Sequence, residues 1–353
     1  MIVRRKTNTV SLKNIKIGHE HPITIQSMCN TKTTDIKSTV AQINELISAG
    51  CDIIRVAVPD MESAESLKII SKEIHIPIIA DVHFDYKLAI QAIKNGANGI
   101  RINPGNIGKH ENIKKIVEVA NDFQTAIRIG VNSGSIAKHI IDKFGVTPEG
   151  IAESALENVS LLENLNFNNI KISAKASSVS STIEAYNIIA KKTNYPLHIG
   201  VTEAGTIFNG TIKSAISIGN LLYNGIGDTI RVSLTDNPIQ EIKVAKAILK
   251  SLNIRKGLNI ISCPTCGRTN IPLIELTNQV ENRLKQFEDC DITVAVMGCE
   301  VNGPGEAKEA DFGIAGGKNE GIIFAKGKII KKVSTENLIE ELFKIIFQSG
   351  NVH

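Results

Sequence analysis

Between Ile23 and about Lys250, a pattern of hydrophobic residues typical of a strand is followed by one typical of a helix, and this pair repeats eight times. Short runs rich in β-branched residues, typical of buried strands, alternate with longer segments that carry the helical period. The predicted strands are Ile23–Met28, Asp52–Val58, Pro77–His83, Gly99–Asn103, Thr125–Val131, Asn169–Ala174, Pro196–Val201 and Asp228–Leu234. The clearest predicted helices are Ser38–Ala49, Glu62–Glu73, Ile113–Asn121, Pro148–Leu165 and Ser178–Lys192.

Strands that alternate with helices of this length indicate a parallel sheet, because each parallel connection needs a crossover. Eight units in roughly 230 residues match an α/β fold of the (β/α)8 TIM-barrel type. A doubly wound open sheet is the weaker alternative. Since barrel enzymes carry their chemistry at the C-terminal ends of the strands, we expect the functional residues there.

A second domain follows a break in the last barrel helix near Leu252–Gly257. We therefore divide the chain into a barrel domain, residues 1–255, and a smaller α+β domain, residues 256–353. The predicted elements of the smaller domain are a helix at Ile271–Phe287, a strand at Thr293–Met297, a strand pair within Glu309–Lys328 and a closing amphipathic helix at Glu336–Phe347.

The composition indicates a globular protein with an aliphatic core, because 42% of its 353 residues are hydrophobic and it has no Trp. No apolar run reaches the ~18 residues that a membrane helix needs. The basic start of the chain lacks the apolar segment of a secretory signal. Six cysteines in a chain of this length are not typical of a disulfide framework, so we expect a reducing, cytoplasmic location.

The charge is unevenly divided along the chain. The net charge is +7 before Gly257 and −3 from Gly257 onward, which together give +4. A basic barrel suits a small anionic substrate. Nucleic acid is a less suitable partner, because the Lys and Arg residues do not cluster with aromatic residues.

Basic side chains gather at the ends of the predicted strands. Each arginine alone would be explained by a buried carboxylate partner, but four unpaired charges would be costly to bury, and an anion would compensate them. Arginine forks also match phosphate oxygens, so we expect phosphate groups here. The residues expected to hold them are Arg55, Arg101, Arg128 and Arg231, with Asn103, Asn132, Ser133 and Ser233 as neutral partners on strand ends and Gly-containing loops.

Three further polar residues are candidates at the same end of the barrel. Asp81 and His83 point to one face of their strand, where a structural pair and an acid/base pair are both consistent with the pattern. Glu203 follows a strand and precedes a glycine, so it is the better candidate for a proton donor or relay. Its alternative role is to cap a helix that starts near Gly210.

The cysteines of the second domain predict a metal centre. Cys263 and Cys266 lie three apart in Cys263-Pro264-Thr265-Cys266, and Cys299 follows on a second loop that leads to Glu306. Structural zinc normally has four Cys or His ligands, and only one close cysteine pair is present here. Iron–sulfur clusters also prefer thiolates and accept other donors, so three thiolates and a labile Glu306 favour such a cluster. Cys29, Cys51 and Cys290 are interpreted as packing or turn residues.

The two cysteine motifs, Cys263–Arg268 and Met297–Glu306, resemble those of the bacterial 4-hydroxy-3-methylbut-2-en-1-yl diphosphate synthases of the non-mevalonate isoprenoid pathway. This resemblance implies a [4Fe-4S] cluster on Cys263, Cys266, Cys299 and Glu306. It also implies a cyclic diphosphate substrate at the strand ends and functional roles for Glu203 and Lys175. The implied electron donor is reduced flavodoxin or ferredoxin. The implied assembly is a homodimer in which the cluster of one subunit faces the barrel of the other.

Two other classes of function are compatible with parts of the pattern. One is a hydrolase or transferase of a phosphorylated substrate, with a structural zinc site in the smaller domain. The other is an iron–sulfur module that docks a partner protein without chemistry of its own. The metal content and the effect of replacing Glu306 separate these classes from a reductase.

Overall fold

The computed structural model describes residues 2–288, 290–299 and 303–350, and the chain forms two compact units, Met1–Leu252 and Asn253–His353. The strands of the first unit are β1 (Val10–Leu12), β2 (Ile15–Ile17), β3 (Thr24–Met28), β4 (Ile53–Ala57), β5 (Ile78–Asp81), β6 (Gly99–Ile102), β7 (Ala126–Asn132), β8 (Ile170–Lys175), β9 (His198–Ile199) and β10 (Thr229–Ile230). Its helices are α1 (Ile36–Ser48), α2 (Met61–Glu73), α3 (Tyr86–Lys94), α4 (Pro104–Ile107), α5 (His110–Asp122), α6 (Lys138–Phe144), α7 (Pro148–Glu163), α8 (Val179–Lys192), α9 (Ile207–Tyr223) and α10 (Pro238–Ser251).

Eight parallel strands form one sheet in the order β8-β7-β6-β5-β4-β3-β10-β9. A parallel bridge between Ile172 and Leu197 joins the two ends of this order, so the sheet is almost closed. The predicted barrel is therefore confirmed, and the open doubly wound sheet is not what forms. β9 and β10 are much shorter than predicted. Next to these strands, the Leu197 amide donates to the side-chain carboxylate of Asp228 at 2.9 Å instead of to the backbone of a neighbouring strand.

Several barrel helices begin at residues whose side chains accept a hydrogen bond from the first turn. Asp35, Asp60 and Ser178 do this for α1, α2 and α8. Such caps satisfy backbone N–H groups that have no partner within the helix. The short helices α4 and α6 were not predicted, and both lie in connections on the C-terminal side of barrel strands.

The β1–β2 hairpin closes the N-terminal end of the barrel. Leu12 and Ile17 are completely buried and belong to one cluster with Ile53, Ile79 and Ala126, which stand at or near the starts of their strands. Apolar side chains therefore fill the N-terminal end of the barrel, and the polar side chains lie at the C-terminal ends of the strands. The barrel mouth is thus the C-terminal end of the strands, as expected.

The second unit contains a mixed sheet with helices. Its strands are β11 (Asn259–Ser262), β12 (Thr293–Met297), β13 (Phe312–Ala315), β14 (Glu320–Ala325) and β15 (Lys328–Ser334), and its helices are α11 (Leu273–Leu284), α12 (Gly303–Glu306) and α13 (Leu338–Gln348). The sheet order follows the chain, with β11, β12 and β13 parallel and the last two strands antiparallel. A hydrophobic core, mostly aliphatic but including Phe312 and Phe343, lies between this sheet and α11 and α13.

The sequence reasoning missed β11, β15 and α12, and it placed the starts of α11 and α13 two residues before the observed ones. The helix predicted from Ile271 begins at Leu273, because Pro272 occupies the N-cap position. β15 is lysine-rich and exposed, which is typical of an edge strand and weakens its sequence signal. Within the part of the chain that the structure describes, no helix is long and apolar enough to cross a membrane.

Candidate active site

A cavity of about 130 Å³ opens at the barrel mouth and collects most of the predicted strand-end residues. It is lined by Arg55, Asp81, His83, Arg101, Arg128, Asn132, Ser173, Lys175, Thr202, Arg231 and Ser233. The parallel register explains this convergence. Arg101 pairs with Asp81 on one side and with Arg128 on the other, and Asn132 pairs with Lys175. Residues that are opposite each other in a parallel ladder point to the same face.

Two glycines provide the room for the long cations of this cavity. The Arg101 guanidinium donates to the carbonyl oxygen of Gly130 at 3.1 Å, and a side chain at Gly130 would collide with it. A side chain at Gly200 would come within 2.9 Å of the Lys175 nitrogen. These close approaches let large basic side chains fill a barrel interior that is usually packed with aliphatic residues.

Asp81 holds two of the arginines. Its carboxylate lies 3.4 Å from Arg101 Nη1 and 3.8 Å from Arg55 Nε, and the His83 ring is 3.7 Å away. Burial alone would raise the pKa of Asp81, but Arg55, the His83 contact and Arg101 together lower it below its usual value. Asp81 is therefore ionised at neutral pH and acts as a partner of the arginines, which agrees with the structural alternative for this residue.

The cavity has more positive charge than its carboxylates compensate. Nε and Nη2 of Arg128 and Nε of Arg231 are buried and have no hydrogen-bond partner among the described residues. Burial lowers the pKa of Arg128 and Lys175 well below the usual values, and neighbouring arginines lower both further. An anion with several oxygens would supply the missing partners and relieve the repulsion.

Asn103 and Ser133 do not line the cavity but belong to two loops beside it. The Asn103 side-chain amide donates to the Ser135 carbonyl at 3.1 Å, and its own buried oxygen has no partner among the described residues. The Ser135 hydroxyl accepts from the Asn132 amide at 3.0 Å. Ser133 is half-buried in the same turn. The Asn103–Ser135 bond joins the loops that follow β6 and β7.

Glu203 is exposed and lies next to Thr202, a cavity residue, without lining the cavity itself. Its φ of +53° is in the left-handed region, which costs a residue with a Cβ of order 1–3 kcal/mol and is enriched at functional sites. α9 has Thr206 at its N-cap position, so Glu203 does not cap that helix.

The two cysteine loops of the second unit leave the same edge of the sheet. β11 and β12 are parallel, with Ser262 opposite Val296, so Cys263 and Cys299 follow neighbouring strand ends. The Gly298 amide donates to Cys263 Sγ at 3.1 Å, and the Asn270 amide donates to the Gly298 carbonyl at 3.0 Å. Residues 300–302 of the second motif lie outside the described residues.

The other two predicted ligands are accessible. Cys266 is exposed, and its pKa is lowered first by the backbone amide of Arg268, which favours the thiolate. Glu306 is exposed at the end of α12. Among the described residues, no three Cys, His, Asp or Glu side chains are grouped closely enough for a single metal ion. Three thiolates and one carboxylate are a donor set that iron–sulfur clusters accept, and an N–H group directed at Cys263 Sγ is the kind of contact that tunes such ligands.

The remaining cysteines differ from these. Cys29 and Cys51 are buried, and burial raises the pKa of both thiols to about 12. They are therefore protonated packing residues, as predicted. Cys290 is half-buried at a bend.

Comparison with known proteins decides the family. A profile described as "GcpE TIM-barrel domain" matches residues 7–246, and one described as "GcpE protein C-terminal domain" matches residues 259–348. The chain belongs to the GcpE family. The resemblance inferred from the cysteine motifs is thereby confirmed.

Relatives in the GcpE family are similar over almost their whole length. A 4-hydroxy-3-methylbut-2-en-1-yl diphosphate synthase (flavodoxin) of Caldanaerobacter subterraneus subsp. tengcongensis is 58% identical over 98% of this chain and 97% of the relative. The enzyme of the same name from Clostridium perfringens is 57% identical over 97% of this chain and 99% of the relative. Among solved structures, dihydropteroate synthase of Yersinia pestis covers 69% of this chain and 98% of that protein, with a TM-score of 0.50 and 10% identity. That likeness shows the barrel fold alone.

Three residues of this GcpE-family site were not in the predicted set. Ser173 and Thr202 line the cavity at strand ends, where polar residues were noted, but their side chains carried no charge that singled them out. Glu241 comes from α10, outside the strands, and its carboxylate lies 3.6 Å from Arg231 Nη2. An acidic residue in the first turn of a helix is common for electrostatic reasons alone, so its sequence position carried no specific signal.

Proposed function

We propose that this protein is a flavodoxin-dependent 4-hydroxy-3-methylbut-2-en-1-yl diphosphate synthase, the name that its close GcpE-family relatives carry. In this reaction 2-C-methyl-D-erythritol 2,4-cyclodiphosphate takes up two electrons and a proton, its ring opens, and water leaves. The products are the linear diphosphate and water. The pathway is the non-mevalonate route of isoprenoid biosynthesis.

The observation that supports this proposal most directly is the convergence of five cations on one small cavity. Arg55, Arg101, Arg128, Lys175 and Arg231 line it, and Asp81 is its one lining carboxylate among the described residues. Arginine donors without partners at Arg128 and Arg231 match the oxygens of a diphosphate. Each charge-assisted contact contributes about 1.5–3 kcal/mol.

The neutral residues and Glu203 complete the proposed substrate site. Asn132 and Ser233 line the cavity and are proposed as donors to the phosphates, with Asn103 and Ser133 shaping the adjoining loops. His83 stands at the rim, where its ring lies 3.2 Å from Arg101 Nη1. Glu203 is proposed to supply or relay the proton, because its strained loop places it beside Thr202 at the mouth.

Cys263, Cys266, Cys299 and Glu306 are the proposed ligands of a [4Fe-4S] cluster. When bound, such a cluster supplies electrons one at a time and an iron that acts as a Lewis acid. The chain's own contribution is to keep Cys263 under the Gly298 amide and to present Glu306 as a weak oxygen donor. We further propose a homodimer, reduced flavodoxin as the donor with ferredoxin as its alternative, and work in the reducing cytoplasm.

Turnover under anaerobic conditions tests the proposal. Protein supplied with reduced flavodoxin and the cyclic diphosphate should release the linear diphosphate. Glu306→Ala should lower kcat at least about 100-fold with the circular dichroism spectrum unchanged, because the fourth ligand is lost. Glu309→Ala removes an exposed carboxylate three residues away and should retain activity. Full activity of the Glu306→Ala enzyme, or hydrolysis of the substrate without an electron donor, would contradict the proposal.

A further inference from the structure

Glu241 is a buried carboxylate that connects three parts of the barrel mouth. It lies in α10 and is 5% exposed. One of its oxygens accepts a hydrogen bond from the Leu234 amide at 3.0 Å and lies 3.6 Å from Arg231 Nη2. The other oxygen accepts from the Ser27 hydroxyl at 3.2 Å. Glu241 thus joins β3, the loop after β10 and the Arg231 guanidinium.

Glu241 stands behind Arg231 relative to the cavity. Arg231 lines the cavity and Glu241 does not. The guanidinium is planar with donors in fixed directions, so a contact at Nη2 also determines where the other donors point. Nε of Arg231 is buried without a partner among the described residues and remains available to a ligand.

Asp81, which lines the cavity itself, makes comparable contacts elsewhere in the mouth. Asp81 contacts both Arg55 and Arg101, with each guanidinium still lining the cavity. Three of the five lining cations are therefore held by a carboxylate. The two carboxylates come from different elements, Asp81 from a strand and Glu241 from an outer helix.

We propose that Glu241 is a positioning residue for the diphosphate, because it fixes Arg231 in the orientation in which its remaining donors meet a phosphate group. This inference rests on the proposed function. A guanidinium held in place loses less conformational freedom when it binds. A carboxylate near the site also weakens the attraction for an anion. The two effects have opposite signs, so a neutral substitute for Glu241 reveals which one dominates.

Glu241→Gln retains the size of the side chain and an acceptor for Leu234 but loses the ion pair with Arg231. We expect KM for the cyclic diphosphate and Kd for inorganic pyrophosphate to rise about tenfold, with kcat changed less than about twofold. Calorimetric titration with pyrophosphate and steady-state kinetics measure these quantities. Unchanged or tighter binding would show that Glu241 acts only through its charge or not at all, and would overturn the inference.

Two further variants separate positioning from a general structural role. Ser27→Ala removes the contact with the other oxygen of Glu241 and leaves Arg231 untouched, so KM should stay at the wild-type value. In an Arg231→Lys background, where the guanidinium fork is absent, Glu241→Gln should raise KM less than about threefold. A full tenfold effect in that background would also overturn the inference. A wild-type protein that neither binds pyrophosphate nor turns over contradicts the proposed function instead, so the two failures are distinct.

Discussion

At the scale of single residues, Lys171 shows the cost of burying positive charge inside the barrel. Lys171 is opposite Arg128 in the β7–β8 ladder, is 1% exposed, and has no hydrogen-bond partner for Nζ among the described residues. Burial is the larger cause and the charge of Arg128 the smaller one, and together they lower the pKa of Lys171 to about 7. Its neighbours His198 and Lys175 are affected in the same direction. The barrel therefore carries a cost that a bound anion would offset.

This cost predicts how stability depends on pH. The unfolded chain keeps the Lys171 proton up to the usual pKa of 10.5, whereas the folded chain releases it near pH 7. Between these values the unfolded state binds more protons, so the stability of the substrate-free barrel should rise with pH, and below pH 7 this contribution should be constant.

Urea denaturation of Lys171→Met across this pH range checks that dependence. The variant should be more stable than wild type near neutral pH and should lose part of the rise toward alkaline pH. Lys192→Met is the matched control, because Lys192 is exposed and pairs with Glu153 at 3.4 Å. The free energy of unfolding of Lys192→Met should change with pH as steeply as that of the wild type. A Lys171→Met variant with the full wild-type slope would contradict the assignment.

The arginines of the site and Asp81, the partner of two of them, were predictable residue by residue, but Glu241, the partner of Arg231, was not. A strand period and a barrel topology suffice to place Arg55, Arg101 and Arg128 at one mouth. The carboxylate that holds Arg231 is ten residues further along the chain, on the face of a helix that points inward. Only the packing of α10 against the barrel brings it there.

At the scale of elements, the loop that carries Gly298 packs tightly against the first cysteine loop. A Cβ at Gly298 would lie 2.9 Å from the Thr269 hydroxyl, which itself accepts a hydrogen bond from the Cys266 amide. Alanine there would displace Thr269 and with it the support of Cys266. A Cβ at Gly267, in the first cysteine loop, would meet no heavy atom within 4 Å.

We therefore expect Gly298→Ala to weaken the retention of iron at least about tenfold, as losses of supporting contacts at metal sites do. Gly267→Ala is the matched control and should retain iron like the wild type. Iron per chain after anaerobic gel filtration with a chelator provides the measurement. Equal retention by the two variants would show that the contact between the loops does not support the cluster ligands.

Elements with a clear hydrophobic period were predicted well, and elements with a weak period were predicted poorly or missed. Eight strand–helix repeats give a strong signal, and all eight barrel strands were predicted in the observed order along the chain. β9 and β10 were predicted too long, and at their start the Leu197 amide bonds the Asp228 carboxylate instead of a backbone carbonyl. β11 was missed, because its residues Asn259–Ser262 are not deeply buried and show no alternation.

At the scale of the whole molecule, each of the two units contributes one half of the proposed chemistry. The first unit holds the excess of positive charge and the cavity for a diphosphate, and the second holds the cysteine motifs. The sequence predicted that the first unit would bind the anion, because its net charge can be counted directly from the composition. The identity of the metal centre could be narrowed only by ligand chemistry and family resemblance.

The most direct test of the central claim is to purify the protein without oxygen, count its iron, sulfide and zinc, and record the EPR spectrum of the reduced form before and after the cyclic diphosphate is added. About four iron and about four sulfide per chain are expected, with no zinc. The reduced signal should decay as the linear diphosphate forms. A colourless protein that contains zinc and no sulfide would contradict the claim. A cluster whose EPR signal does not change when the substrate is added would contradict it as well.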